Sequence, residues 1–311
     1  MPASRTLNIV VAINPSASFG KGREVGPAVV ATLRALGHTV TSLTEPDFEQ
    51  LIEAGRRAVA RKPDALVVVG GDGMVSLGTN LVAKTKVPLG IVPSGTGNDM
   101  ARGLGIPVGN TEAAIEYLVA ALAQKARVID AGLIHHVDDE TGEKTSTWFA
   151  CVLSAGFDAI VNERANILRH PKGPNRYLLA LGIELVKLRP IRYRLVLDGV
   201  EMVTEAALIS VGNNVSLGGG MKVTPNAILD DGLFDVLVVQ PLSRIAFLRV
   251  FPRVFTGKHL SDPRVTVYRA KRVLIEAERV VAYADGERVG PLPIDIEMVA
   301  GALHVLAPVT P

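Results

Sequence analysis

The stretch that most constrains this chain is Ala-Leu-Val-Val-Val at 65–69, followed at once by Gly70-Gly71-Asp72-Gly73. Five apolar residues without a polar interruption predict a strand buried on both faces, because a strand with one wet face alternates. Such strands belong to parallel sheets covered by helices on both sides. The surroundings agree. Residues 7–13 are a second β-branched run, ending in the loop 14–22, with a helical pattern continuing to Leu36 and closed by Gly37. Residues 39–43 are strand-like, and Asp47 with Gln50 predicts a capped helix to about 61. Residues 88–92 form another apolar run before Pro93-Ser94-Gly95-Thr96-Gly97-Asn98-Asp99, and a helix is expected over 111–124. Residues 1–129 are therefore expected to be an open, mostly parallel α/β domain, of the kind that binds ligands beyond the carboxyl ends of its strands.

After Asp130 short strand-like runs alternate with hairpin signals at Asp138-Asp139-Glu140-Thr141-Gly142, Asp198-Gly199 and Asp285-Gly286. A mainly β second domain is expected over 130–296, sandwich-like, with a helical insertion at 158–188 broken at Pro171 and Pro174. A further helix is expected at 242–255, and 297–311 is a candidate to return to the first domain. A length of 311 residues suits two cores. A net charge of +2 argues against a dedicated nucleic-acid binder, and the lone Cys151 rules out an intramolecular disulfide framework. The N-terminus lacks the pattern of a signal peptide, and no apolar run is long enough to span a bilayer. The expected location is cytoplasmic, with any membrane contact peripheral.

Three loops of the first half are dense in small and polar residues, and they are expected to converge on one sheet edge. The first carries Asn14, Ser18 and Lys21; small residues let backbone N–H groups approach phosphate oxygens, and the lysine adds charge. As a bare sequence it reads equally as an ordinary turn. In the second, Gly71, Asp72 and Gly73 bring backbone close to a ligand, with a carboxylate able to orient Mg2+ or its waters. The third offers Ser94, Gly95, Thr96, Asn98 and Asp99 at the start of a helix carrying Arg102, where Asp99 is either a ligand-site group or a helix cap. Neither a Walker loop nor a strand-linked Gly-x-Gly-x-x-Gly is present.

Gly71-Asp72-Gly73, then Gly95-Thr96-Gly97-Asn98-Asp99-Met100-Ala101-Arg102, and finally Asp285-Gly286-Glu287 together resemble the diacylglycerol kinase catalytic-domain family, particularly its soluble bacterial lipid kinases. The resemblance implies an NAD kinase/diacylglycerol kinase-like fold, Mg2+-ATP, a diacylglycerol-like lipid acceptor met at the inner face of the membrane, an active site in the cleft between the domains, and a homodimer. It implies that Asp285 is the general base with Glu287 beside it, and that Asp72 and Asp99 organise the catalytic magnesium. By the same resemblance Asp231, with the carbonyls of Phe234 and Val236, matches a structural Mg2+ site; an acidic turn before a strand explains those residues as well. Met74 departs from the family, which usually has threonine there, and removes a hydroxyl within reach of phosphate. Phosphorylation of NAD, or a regulator without activity, remains the alternative reading. Phe247, Phe251 and Phe255, interleaved with Arg244, Arg249, Arg253 and Lys258, fit either a helix lying on an anionic membrane or one packed on the second domain's sheet.

Overall fold

The computed structural model describes residues 5–14, 22–139, 141–168, 170 and 174–307. The chain divides into two compact units, one built from residues up to Ala131 together with the chain from Ala300 onward, the other from Gly132–Val299.

In the first unit β1 (Asn8–Ile13), α1 (Gly22–Ala35), β2 (Thr39–Leu43), α2 (Phe48–Ala60), β3 (Ala65–Gly70), α3 (Asp72–Val82), β4 (Leu89–Pro93), α4 (Asp99–Gly103) and α5 (Thr111–Leu122) follow one another. β5 (Arg127–Val137) then leads out of the unit. The parallel strands lie in the order β2-β1-β3-β4. Every residue of β3 is buried, as its unbroken apolar run requires. Val29 and Leu33 of α1 and Leu118 of α5 pack with Ile9, Val11, Val67 and Val69 in one core. Asp47 caps α2, accepting from the Gln50 N–H at 2.8 Å, while the Gln50 amide reaches back at 2.7 Å. The chain returns through the last residues of a long final strand, where Val305 pairs in parallel with Leu89.

The second unit is a β-sandwich. Its elements are the rest of β5, β6 (Lys144–Phe149), β7 (Val152–Gly156), α6 (Phe157–Ile167), α7 (Pro174–Val186), β8 (Ile191–Leu197), β9 (Val200–Ala206), β10 (Leu208–Gly212), β11 (Phe234–Val239), α8 (Arg244–Val250), β12 (Val265–Ala270), β13 (Arg272–Glu276), β14 (Val281–Ala284), β15 (Glu287–Pro291) and β16 (Ile294–Val305), the last running back into the first unit. One sheet has the order β12-β11-β10-β7-β14-β15; the other brings β16, β13, β8 and β9 together, with β5 joining β16 to β6. Leu153, Ile209, Val236 and Ala282 from the first pack against Tyr193, Leu195, Val273 and Ile296 from the second. The Asp-Gly turns do what their chemistry predicts: Asp198 and Gly199 (φ 49° and 86°) and Asp285 and Gly286 (φ 51° and 85°) make tight left-handed reversals.

The insertion expected at 158–188 with breaks at Pro171 and Pro174 is two helices, α7 opening at Pro174, where a missing N–H costs nothing; Pro171 lies outside the described residues. The helix expected at 242–255 ends at Val250 and tightens into a 3-10 segment, Phe251–Thr256, that contains Pro252.

Candidate functional site

Register sets the first cluster. Ile13 pairs with Val69 and Gly70 with Pro93, so the carboxyl ends of β1, β3 and β4 finish side by side and their three loops leave from one edge. Backbone bonds lace the edge together: Asn14 N–H donates to the Val69 carbonyl at 3.2 Å and Ser94 N–H to the Gly70 carbonyl at 2.9 Å. Ser18 and Lys21 lie outside the described residues.

The glycines are required by close approach. A Cβ on Gly95 would lie 2.4 Å from the Gly71 Cα, and one on Gly97 2.2 Å from Asp72 Oδ2. Only bare backbone lets the second and third loops touch. Gly73 continues directly into the first turn of α3, behind Asp72. The Asp72 carboxylate stitches the loops, accepting from the Asn98 N–H at 2.9 Å and the Asp99 N–H at 2.7 Å. Asn98 is buried in the left-handed conformation (φ 57°), and its amide closes the turn onto Gly95 through bonds of 3.1 Å and 2.7 Å. Arg102, exposed on α4, donates back to the Gly97 carbonyl at 3.2 Å, while Thr96 is exposed.

Two acidic groups are thereby held close together. Burial pushes the Asp72 carboxyl above the usual carboxylate range, and the neighbouring Asp99 adds to the shift, against the lowering by the backbone N–H groups. Asp99 is itself 3% exposed. Two carboxylates, Asp99 buried and Asp72 half-buried, with no cationic side chain among the described residues bonded to Asp72, suit a hard cation, which binds one or two carboxylates and fills its remaining positions with water and phosphate oxygens. Among the described residues no cluster of three or more His, Cys, Asp or Glu forms a fuller cage. Asp72 and Asp99 therefore fit Mg2+ held in that open manner.

Met74, the departure from the family, faces away from this chemistry. It is 1% exposed, and a Cβ on Gly70 would lie 2.3 Å from its Cγ. The thioether chain fills the space left by that glycine beneath the loop.

The second cluster belongs to the other unit. Asp285 heads the turn between β14 and β15, is 5% exposed, and accepts three backbone N–H groups: Ala150 at 2.7 Å, Cys151 at 2.9 Å and Val152 at 3.1 Å. Its own N–H donates to the Val152 carbonyl at 3.1 Å. Asp285 is thus a hairpin residue, as its Asp-Gly pair reads, and its carboxylate is buried. Glu287 follows at the start of β15 with an exposed side chain. The hairpin is tied to α6: the Tyr283 hydroxyl donates to Glu163 at 2.8 Å and is pushed up to about 12 by burial and by that bond, so it stays a donor. Arg288 pairs with Glu163 and Asp139.

Residues that hold the Asp285 cradle escaped the sequence reading. Asn213 and Asn214, directly after β10, donate their backbone N–H groups to the Cys151 carbonyl at 2.8 and 3.0 Å, and the Asn213 amide donates to the Ala150 carbonyl at 3.0 Å. Their signal was available, since a polar pair after an apolar strand is the same cue that marks the loops of the first unit.

The second metal segment does not fit a cation in this structure. Asp231 Oδ1 accepts the Leu233 N–H at 3.1 Å, and its other oxygen is paired with the Arg269 guanidinium, which also reaches Asp235 at 3.2 Å. Phe234 lies opposite Ala270, and Val236 lies opposite Val211 and Tyr268, in a strand paired on both sides. A guanidinium supplies the positive charge expected of Mg2+, so no metal role is derived for Asp231, Phe234 or Val236. The phenylalanines of the basic segment form one run of ring contacts: Phe247 packs edge-on to Phe157 at 4.9 Å, Phe251 stacks on Phe247 at 5.3 Å, and the exposed Phe255 meets Phe251 edge-on at 6.2 Å.

Known proteins carry the same architecture. Residues 8–131 match the diacylglycerol kinase catalytic domain, and residues 151–307 match the YegS C-terminal NAD kinase beta sandwich-like domain. A diacylglycerol kinase of Mycobacterium tuberculosis is 41% identical over 296 residues, covering 95% of this chain and 93% of that protein. The crystal structure of a Bacillus anthracis diacylglycerol kinase shares the fold at 23% identity, with a TM-score of 0.71 over 98% of each chain. Yeast NADH kinase shares it more distantly, at a TM-score of 0.53 and 14% identity over 97% of this chain and 83% of that one. The chain, a kinase by kinship along nearly its full length, belongs to the diacylglycerol kinase catalytic-domain family.

Proposed function

We propose that this protein is an ATP-dependent lipid kinase that transfers the γ-phosphoryl group to the hydroxyl of diacylglycerol or a closely related lipid. The observation that carries the reading is the carboxylate pair Asp72 and Asp99, held at the carboxyl edge of a parallel sheet by loops whose glycines touch. The 41% identity to a diacylglycerol kinase supports the acceptor class.

In this reading Asn14, Ser18, Lys21, Gly71, Gly73, Ser94, Gly95, Thr96, Asn98 and Arg102 receive the nucleotide through backbone N–H groups and a few side chains. Asp72 and Asp99 would hold Mg2+, which when bound would supply positive charge for the phosphoryl oxygens. Phosphoryl transfer passes through a loose transition state and demands positioning and charge neutralisation more than covalent chemistry. The remaining requirement is a group that takes the proton of the attacking alcohol. We assign it to the Asp285 carboxylate, with the adjacent Glu287 orienting it or the acceptor. The hairpin's ties to α6 and to residues 150–152 hold that carboxylate in one place.

The test is transfer of label from γ-labelled ATP, with Mg2+, in parallel reactions offering dioleoylglycerol, monooleoylglycerol, a sphingoid base, an isoprenoid alcohol or NAD. Label is expected in phosphatidic acid. Label in NADP alone, or in no acceptor, would overturn the reading.

A further inference from the structure

A single carboxylate, Glu163 of α6, is bonded to both strands of the hairpin that carries Asp285 and Glu287. The hairpin needs such a hold. Two residue pairs stand in register before the turn, Ala284 with Glu287 and Tyr283 with Arg288, and the ladder then slips between Ala282 and Tyr283. β15 lies at the end of its sheet, beside β14. A bulge loosens the pairing that would otherwise fix the turn, and a shift of one residue would send Glu287 to the opposite face.

Glu163 supplies the missing constraint. Residues opposite each other on a ladder share a face, so Tyr283 and Arg288 reach α6 together. The Tyr283 hydroxyl donates to Glu163 Oε2 at 2.8 Å, and Arg288 Nε donates to the two oxygens of the same carboxylate at 3.3 and 3.4 Å. Asn166, three residues further along α6, donates to the Tyr283 hydroxyl at 3.3 Å. The helix is itself anchored: Phe157 N–H donates to the Ala207 carbonyl at 3.0 Å, and Arg164 pairs with the buried Glu184 of α7 at 2.6 Å. Glu163 also shares with Asp139 the task of balancing the Arg288 charge. Without Glu163 that guanidinium would be half-compensated beside the turn, favouring ionised carboxylates there and making them weaker bases.

We propose that Glu163 is a positioning residue for phosphoryl transfer: it sets the register of the Asp285 hairpin and keeps the Arg288 charge off it, so that its loss slows transfer without weakening nucleotide binding. This rests on the assignment of Asp285 as the base. With γ-labelled ATP, Mg2+ and dioleoylglycerol, kcat and KM for ATP are measured over about pH 5–9 for the full chain and its variants.

Glu163→Ala is expected to lower kcat on the order of 10–100-fold, with KM for ATP unchanged and the acid limb of the kcat profile moved to lower pH. Glu163→Gln keeps an acceptor for Tyr283 but loses the charge, so it should recover part of the rate and retain the pH shift; should the alanine variant fail to fold, this one carries the test. Adding Tyr283→Phe to Glu163→Ala should cost no more than Glu163→Ala alone, because both break one bond. Glu201→Gln, which breaks an ion pair with Arg194 on the other sheet, is the control and should match the native chain. A kcat within about twofold of native in the Glu163 variants, a rise in KM for ATP matching the fall in kcat, or additive losses would each overturn the proposal. Amide hydrogen exchange over residues 281–291, without substrate, reports the clamp separately: it should quicken in Glu163→Ala, and unchanged exchange would sink the inference. A native chain that labels no lipid, or full activity in Asp285→Asn, would contradict the functional reading and leave the exchange result standing.

Discussion

Asp72 and Asp285 use the same device to different ends. Each closes a loop by accepting backbone N–H groups from distant residues: Asp72 from Asn98 and Asp99 at the start of α4, Asp285 from residues 150–152 between β6 and β7. The first is pushed above the usual carboxylate range by burial and, after it, by the neighbouring Asp99, with no cationic side chain among the described residues bonded to it. The second is buried with three donors converging on it. One arrangement suits a cation; the other commits its carboxylate to the fold as well as to any chemistry.

The largest effect should therefore come from Asp285. Replacing it by alanine strands three buried N–H donors and is expected to cost about 4 kcal/mol, read by urea unfolding of the full chain. Asp285→Asn keeps one acceptor oxygen and turns an NH2 group toward a donor, so its loss of transfer must be read beside its stability. An Asp285→Asn chain as stable as the native one would mean that the cradle is not the tie described.

In the first unit, Gly95→Ala drives a methyl against the Gly71 backbone and should cost up to about 3 kcal/mol together with most of the nucleotide affinity, measured by calorimetry. Met74→Thr, which restores the residue usual in the family, should cost about 2 kcal/mol by opening a gap beneath Gly70. It should leave the KM for ATP unchanged, since position 74 is in the core; a clear fall in KM would put that side chain at the nucleotide instead.

The smallest effect sharpens the contrast most. Because the folded pKa of Asp72 lies above its unfolded value, the native state holds that proton more tightly, and stability contributed by the protonated form is lost as pH rises from the unfolded value through the folded one. A cation relieves this cost only where the carboxylate is ionised. Added Mg2+ should raise Tm by about 2–4 °C at pH 7, less as pH falls through the raised pKa, and not at all in Asp99→Asn. An equal rise in Asp99→Asn would move the metal elsewhere.

What the sequence made legible was local. The run at 65–69 announced a doubly buried strand, and Asp198-Gly199 and Asp285-Gly286 announced hairpins. What it hid depends on pairing across long separations. Asp285 meets N–H groups more than 130 positions away, and Arg269 meets Asp231 only because β11 and β12 are neighbours. Met74 read as a missing hydroxyl because spacing places it after the glycine loop; only the absent Cβ of Gly70 turns it into packing.

The central claim is that γ-phosphoryl leaves ATP for a lipid hydroxyl. 31P NMR of the native protein with ATP, Mg2+ and vesicles, with and without diacylglycerol, follows donor and product together. The account predicts ADP and phosphatidic acid in equal amounts, and ATP left intact when diacylglycerol is omitted; inorganic phosphate formed at the same rate without the lipid would contradict it.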